Sequence, residues 1–423
     1  MVVAVIGGGP VGLYAAFRLV VAGFDCVVFE AGDGVAAAMA GWSNVMLFSA
    51  VGLNLPQDAR AALAAGVSDL PGVDLPGDDE YITGGDFREK ALVPLAAWLA
   101  ASGRCTVRCG SRVVGIARGK LLKGEGIVAT GDQRRSGERF RLVFDDCVEG
   151  GFSAVIDASG TYAAATALRS GAGGVSAPGE ARAEKRGAIL RTIPDLRDAA
   201  QAARFAGKRV AVLGTGYSAI TTLKMLQDVA PASIDWVVRR PAGAAIYKTM
   251  KGDPLPQRSA LAAFGNGLAA LATDAPHVLP SGALMRVRCG ASVAAFREAE
   301  NGAVDLDLEL ESGDTATVRV DVLLSLVGYR PDAQLHSELH MHACYASDGP
   351  IKLAATLLGA AGGDCLAQAA PGAATLLNPE PDFYIVGMKS YGRNSSFLMR
   401  VGYEQVDLLV HQLEAAAAKA AEV

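Results

Sequence analysis

The sequence has no C-x-x-C and only five histidines. Its seven cysteines (Cys26, Cys105, Cys109, Cys147, Cys289, Cys344 and Cys365) are odd in number and irregularly spaced. That pattern argues against a disulfide-stapled scaffold and against a zinc site, and it fits a reducing cytoplasm. Among the histidines only His336 and His340 stand at a helical i,i+4 spacing, and the plainer reading is two surface residues. Basic residues do not exceed acidic ones, 39 against 44, so a nucleic-acid footprint is not expected. No run of ~18 apolar residues is free of Gly, Pro and charge, so no membrane span is expected. The apolar start, residues 1–6, has no basic flank and runs directly into three glycines, which reads as a buried strand rather than a signal peptide.

Glycine, by contrast, is plentiful: 50 of 423 residues, about 12% against a usual ~7% and without a G-X-Y period. Tight backbone approaches are the implied use. With 51% hydrophobic and 20% charged residues, the chain can bury more than one core. Its length, at ~150 residues per domain, predicts two to three domains.

The first chemistry-bearing motif follows the apolar run Val2-Val3-Ala4-Val5-Ile6. Gly7-Gly8-Gly9-Pro10-Val11-Gly12 is a G-x-G-x-x-G, and a helix is predicted over Leu13 to Ala22, ended by Gly23. Cys26-Val27-Val28-Phe29 then reads as a second strand, with Glu30 at its end, at the ~20-residue spacing of an acidic ribose ligand. Each part has a physical reason. Gly7 allows the tight turn, Gly9 lets backbone reach a pyrophosphate, and Gly12 lets helix and strand pack closely. The helix N-terminus offers free N–H groups and positive potential to the anion. A carboxylate at Glu30 suits a ribose with both hydroxyls free, as in FAD. The alternative is a glycine-rich turn without a ligand.

A second copy begins at Lys208-Arg209-Val210-Ala211-Val212-Leu213. It leads into Gly214-Thr215-Gly216-Tyr217-Ser218-Ala219, the G-x-G-x-x-A form of the same fingerprint. A helix is predicted from about Ser218 to Val229, and a strand over Ile234-Asp235-Trp236-Val237-Val238. That strand ends in Arg239-Arg240 instead of an acid. Guanidinium forks suit a 2′-phosphate that a carboxylate would repel, so this site is read as taking NADPH. The plainer alternative is a solvated pair of cations. Lys248 and Lys251 add positive charge nearby in sequence. Two strand ends repeat the theme: Asp157-Ala158-Ser159-Gly160-Thr161-Tyr162, and Val327-Gly328-Tyr329-Arg330-Pro331. Their glycines, Gly160 included, are positions where backbone passes close to a dinucleotide.

With these four segments in place, the chain resembles the two-dinucleotide-binding-domain flavoproteins, which include thioredoxin reductases and flavin-containing monooxygenases. The resemblance implies an α/β fold of two Rossmann-like dinucleotide-binding domains, the NAD(P)H domain inserted into the FAD domain. The expected boundaries are 1–165 for the first FAD segment, 166–206 for a connector, 207–327 for the NAD(P)H domain and 328–423 for the second FAD segment. The disulfide-reductase branch needs a C-x-x-C beside the flavin, which is missing. Cys105 and Cys109 form a C-x-x-x-C, expected on one face of a strand as two structural thiols.

The resemblance fits the monooxygenase-like branch better. It places Trp42 to Ser49 over the isoalloxazine, with Asn44 and Phe48 as flavin neighbours. Asn378 to Gly387 is expected to be a strand, and Met388 to Ser396 to open a final helix through Leu413. Where many relatives carry Gly-Asp for the ribityl chain, this chain has Gly387-Met388-Lys389. The helix N-terminus near Ser395, Lys389 or Arg393 would then face the flavin or a phosphate; the alternative is a capped helix with surface cations. The F-x-G-x-x-x-H signature of the best-known monooxygenases is missing. Cys365 is either a thiol near the flavin or a small buried hydrophobe. The implied activity is FAD-dependent, NADPH-using oxidoreduction of monooxygenase type, with oxygen and a small organic molecule as partners. A reductase of a non-disulfide acceptor and a non-catalytic flavin or NADPH sensor are the alternatives. The Ala-rich terminal helix offers a face for a homodimer.

Overall fold

In the computed structural model, residues 1–249, 253–271, 275–359 and 371–421 are described. The chain divides into two compact units. The first comprises Met1–Ala40, Ser49–Tyr162 and Arg330–Val423; the second comprises Gly41–Phe48 and Ala163–Tyr329. The second unit thus interrupts the first in sequence. Lys251 and Cys365 lie outside the described residues.

The first unit is built on a five-stranded sheet in the order Phe383–Ile385, Ala154–Asp157, Val2–Ile6, Asp25–Phe29, Cys105–Arg108. Every pairing in it is parallel. Val3, Ala4, Val5 and Ile6 are all buried, as a central parallel strand covered on both faces requires. The register sets Ile6 opposite both Phe29 and Asp157. Three strands therefore end together, and the residues that follow them (Gly7, Glu30, Ala158) meet at one edge of the sheet. One face carries the helix Pro10–Val21, which packs along the C-terminal helix Met399–Ala421. The other carries an antiparallel meander of Gly115–Arg118, Phe140–Val143 and Val148–Phe152. Phe29, Phe140, Phe152 and Phe383 share its core. Arg118 and Arg135 are buried in this unit and both reach the Glu380 carboxylate, Arg135 Nη1 donating to Oε2 at 2.9 Å.

Several local expectations are corrected. The strand before the C-terminus covers only Phe383–Ile385: Pro379 and Pro381 remove ladder donors, and Asp382 takes φ 56°. A short 3-10 turn, Gly387–Tyr391, follows, and the final helix begins at Met399, not at 388 or near Ser395. Gly387 at φ 71° and Gly392 at φ 64° interrupt it. Cys105 ends up buried opposite Cys26, but the strand stops at Arg108 and Cys109 is exposed, so the two thiols do not share a face. His336 is not a surface residue; it is buried against the Phe383 ring at 5.8 Å.

The second unit has a six-stranded sheet in the order His277–Val278, Leu284–Arg288, Ser233–Val237, Arg209–Leu213, Val322–Ser325, Ile189–Leu190. Only the His277–Val278 edge is antiparallel. Trp236 is fully buried in its core, a burial worth roughly 1.5–3 kcal/mol for a large apolar side chain. A three-stranded antiparallel sheet, Ala291–Glu298, Val304–Leu310 and Thr315–Val320, packs beside it. Residues 166–206 belong to this unit and supply its Ile189–Leu190 edge strand. No helix among the described residues is long and apolar enough to cross a membrane.

Candidate dinucleotide sites

At the sheet edge of the first unit the three fingerprint glycines have three different reasons to be glycine. Gly7 adopts φ 100°, and a Cβ there would meet Ala158 O at 2.7 Å. A Cβ on Gly12 would meet Gly7 O at 1.9 Å, so helix and strand approach too closely for any side chain. Gly9 is unlike either. Its φ of −80° is open to every residue, and a Cβ would meet nothing within 4 Å. Gly9 is the N-cap of Pro10–Val21 and makes no side-chain cap hydrogen bond. Pro10 sits at the first helical turn, where a missing N–H costs nothing.

Glu30 is held over this loop. Its Oε2 accepts from Gly8 N and its Oε1 from Gly32 N, both at 2.9 Å. Gly387 backs onto the same place: its Cβ would meet the Val11 side chain at 3.3 Å, and its N–H donates to Gln405 Oε1 at 2.8 Å. Gly160, at φ 70°, follows the Ala158–Ser159 turn that touches Gly7. Gly7, Gly9, Pro10, Val11, Gly12, Glu30, Gly160 and Gly387 therefore gather around one sheet edge.

Lys389 and Arg393 fall out differently. Lys389 is buried, and its Nζ donates to Asp157 Oδ2 at 2.6 Å and to Ser159 Oγ at 3.1 Å. Arg393 is exposed and pairs with Asp348 at 2.6 Å. Ser395 is exposed and lies before the final helix. Sequence reasoning missed the Asp157–Lys389 pair. Its one signal was an acid closing an apolar strand, in a motif read only for its glycine.

The second unit repeats the arrangement. Gly214 takes φ 118°, and a Cβ there would meet Leu326 O at 2.3 Å. Gly216, the N-cap of Tyr217–Leu226, has φ −79°, no side-chain cap, and empty space where a Cβ would sit. Ala219 is fully buried against the sheet. Trp236 Nε1 donates to Gly214 O at 2.9 Å and fixes the turn from below. Arg239 and Arg240 are exposed after the next strand, and Arg240 Nη1 donates to Ala245 O at 2.9 Å.

Ser218 and Tyr217 open this second helix. Tyr217 stands between Phe48, at 5.0 Å edge-on, and Tyr247, at 5.5 Å. Burial pushes the Tyr247 phenol above its ordinary range. Asn266 accepts from the backbone N–H groups of Ile246 and Tyr247 and returns a bond to Tyr247 O. Tyr247 went unremarked in the sequence because nothing local marks it. Asn44 and Phe48 belong to this unit, and Asn44 Nδ2 donates to Pro194 O at 3.2 Å.

Known proteins share the fold. Residues 5–54 match the NAD(P)-binding Rossmann-like domain. Three solved structures align over nearly the whole chain. Bacillithiol disulfide reductase from Bacillus cereus has a TM-score of 0.64 and 15% identity, covering 98% of this chain and 99% of that one. Ornithine N-hydroxylase from Kutzneria sp. 744, bound to reduced FAD, NADP+ and L-ornithine, has a TM-score of 0.60 and 13% identity, covering 97% and 99%. Flavin-containing monooxygenase from Stenotrophomonas maltophilia has a TM-score of 0.54 and 20% identity, covering 98% of each. No curated protein matches at a significant level of sequence similarity. The chain has the α/β fold of these oxidoreductases, with two Rossmann-like sheets.

Proposed function

We propose that the chain is an FAD-dependent, NADPH-using oxidoreductase, with FAD at Gly7–Gly12 and Glu30 and NADPH at Gly214–Ala219 and Arg239–Arg240. The observation that carries the reading is the pair of N-cap glycines. Gly9 and Gly216 have ordinary φ values and open space where a side chain would go. Neither backbone strain nor internal packing calls for glycine there, whereas close approach of an anion to a helix N-terminus does. The ends of the second strands then sort the two nucleotides. Glu30 presents a carboxylate suited to free ribose hydroxyls, and Arg239 with Arg240 offers guanidinium forks suited to a 2′-phosphate.

Bound there, FAD would supply the redox chemistry, with NADPH as the hydride source. The chain's own residues bind and orient. The first-turn N–H groups of each nucleotide helix hold a pyrophosphate, and Glu30 holds a ribose. Asp157, Ser159 and Lys389 brace the turn beneath the first loop.

The finer reading is monooxygenase-type chemistry on a small organic substrate with oxygen as co-substrate, and the cysteines favour it over disulfide reduction. Cys26 and Cys105, which face each other across neighbouring strands, are both buried. The hydrogen bond to Cys105, together with burial, raises the Cys26 thiol far above its usual range, the opposite of what an attacking thiolate needs. The test is steady NADPH consumption by the purified holoprotein with and without oxygen, accompanied by hydrogen peroxide assay. Oxygen-dependent consumption that a substrate accelerates, with less peroxide released, is expected. Consumption that needs an added electron acceptor and ignores oxygen would overturn the monooxygenase reading and leave a reductase.

A further inference from the structure

Beneath the first glycine loop lies a closed polar cluster that the fingerprint does not account for. Asp157 ends the strand Ala154–Asp157 and is fully buried. Its Oδ1 accepts from Ser159 N at 3.1 Å and Ser159 Oγ at 2.6 Å, and its Oδ2 accepts from Lys389 Nζ at 2.6 Å. Lys389, also buried, reaches Ser159 Oγ as well, so its ammonium spans the turn between two acceptors. Lys389 is carried by the Gly387–Tyr391 turn. That turn is fastened from its other side by Gln405, which accepts from Gly387 N at 2.8 Å and donates to Ser390 Oγ at 3.0 Å. Asp157 O in turn accepts from Val386 N.

The ion pair therefore joins two backbone turns, 157–160 and 387–391, and both touch the fingerprint. Ala158 and Ser159 lie against Gly7, and Gly387 lies against Val11. A buried ammonium with 1% of its side chain exposed, spent on a carboxylate and a hydroxyl, is poorly placed to serve as a ligand contact. Its position has a different consequence. A buried carboxylate without a counter-ion is strongly disfavoured; with one, the turn stays electrically neutral and fixed.

We propose that Lys389 is a positioning residue for the first dinucleotide site. It acts through Asp157: as internal counter-ion it locks the 157–160 turn under Gly7, and cofactor affinity depends on the neutrality of the pair rather than on Lys389 charge reaching the ligand. The inference rests on the FAD reading of that site and deepens it. The groups facing Asp157 are Lys389 and Ser159, together with His336 from the turn Gln334–His336; Asp332 and Lys123 face His336 in turn. Burial, reinforced by Lys389, holds His336 down at about 4, so it is neutral near pH 7 while the ammonium is in place.

The test compares wild type, Lys389→Met and the double variant Asp157→Asn/Lys389→Met. The readouts are the FAD dissociation constant by flavin fluorescence quenching and the melting temperature of the apoprotein, each from about pH 6 to about pH 8. Lys389→Met leaves Asp157 buried without a cation, which pushes its carboxyl upward, so FAD should bind roughly tenfold or more weakly at the alkaline end than at the acid end. Wild type should vary less than about threefold over the same range, because the ammonium holds Asp157 charged throughout. In the double variant the neutral amide keeps an acceptor for Ser159, so affinity should return to within about threefold of wild type and lose its pH dependence. If Lys389→Met does not fold, recovery of folding and FAD affinity in the double variant carries the test alone. Equal, pH-independent weakening in both variants would overturn the inference and make the ammonium a direct ligand contact. Wild-type affinity in Lys389→Met at every pH would overturn it too. A wild-type protein that binds no FAD would bring down the FAD reading itself.

Discussion

Alanine at Gly9 should separate cofactor binding from folding. The native φ of −80° accepts alanine, and its methyl would meet no protein atom within 4 Å. Reduced freedom of the unfolded chain gains ~0.4–1 kcal/mol, and the poorer N-cap costs about as much. The apoprotein should therefore melt within about 4 °C of wild type, as a change near 1 kcal/mol implies for a unit of this size. The methyl does, however, fill the space through which a pyrophosphate must approach. Losing one or two charge-assisted N–H bonds to phosphate costs ~2–4 kcal/mol, a fall in FAD affinity of roughly 30- to 1,000-fold. Gly12→Ala is the contrast: its Cβ would lie 1.9 Å from Gly7 O, so folding and binding should fail together. The assay is isothermal titration of apoprotein with FAD beside thermal melting of the same samples. Unchanged FAD affinity in Gly9→Ala would refute the assignment of that space to phosphate. Loss of folding to match Gly12→Ala would show that Gly9 has an internal role after all.

Replacing Arg239 and Arg240 together by serine should raise the KM for NADPH by roughly 10- to 100-fold and leave the KM for NADH within about twofold; equal effects on both would remove the 2′-phosphate argument. Trp236→Phe removes the donor to Gly214 O, which should cost the second unit ~1–3 kcal/mol in urea melts. Glu180 supplies a pH prediction. Burial alone would raise its carboxyl, but Arg191 at 2.7 Å and bonds from Ser170 and Ala177 outweigh that and hold it below the usual range. A depressed carboxylate contributes stability that is full above its unfolded value of ~4.3 and is lost as pH falls through the folded one. Arg191 keeps its pair with Glu184, Nε to Oε1 at 2.8 Å, so Glu180→Gln should cost roughly 1.5–3 kcal/mol at neutral pH, the worth of a hydrogen bond to a charged group, and flatten the acid loss of stability in denaturant melts.

The two fingerprints were legible in the sequence because they are local. Strand, glycines, helix, strand and terminal acid or arginine lie within a few tens of residues, and Gly7, Gly12 and Gly214 answer to backbone geometry. The same cannot be said of the braces. Lys389 and Asp157 are 232 positions apart, and no short-range pattern announces their pairing. A lysine beside a glycine turn looks like a surface cation until the fold buries it. The C-terminal segment misled for a related reason. Apolar residues over Phe383–Val386 imply a strand, but two prolines and the left-handed Asp382 confine it to three residues. Gly387 and Gly392 then delay the helix to Met399. His336 and His340 shared a helical spacing without sharing an environment: His336 packs on Phe383, whereas His340 Nε2 meets Lys123 O. Asn44 and Phe48 fall in the second unit, a placement that residue order alone does not disclose, since the chain leaves the first unit at Gly41 and returns at Ser49.

The most direct test of the central claim is an anaerobic stopped-flow trace of the flavin visible absorbance after mixing the purified holoprotein with NADPH, repeated with NADH at equal concentration. The account predicts full bleaching by NADPH in a single fast phase and markedly slower bleaching by NADH. A protein that carries FAD but is bleached by neither nucleotide would contradict it, because the second glycine fingerprint and Arg239–Arg240 would then not serve as the electron-donor site.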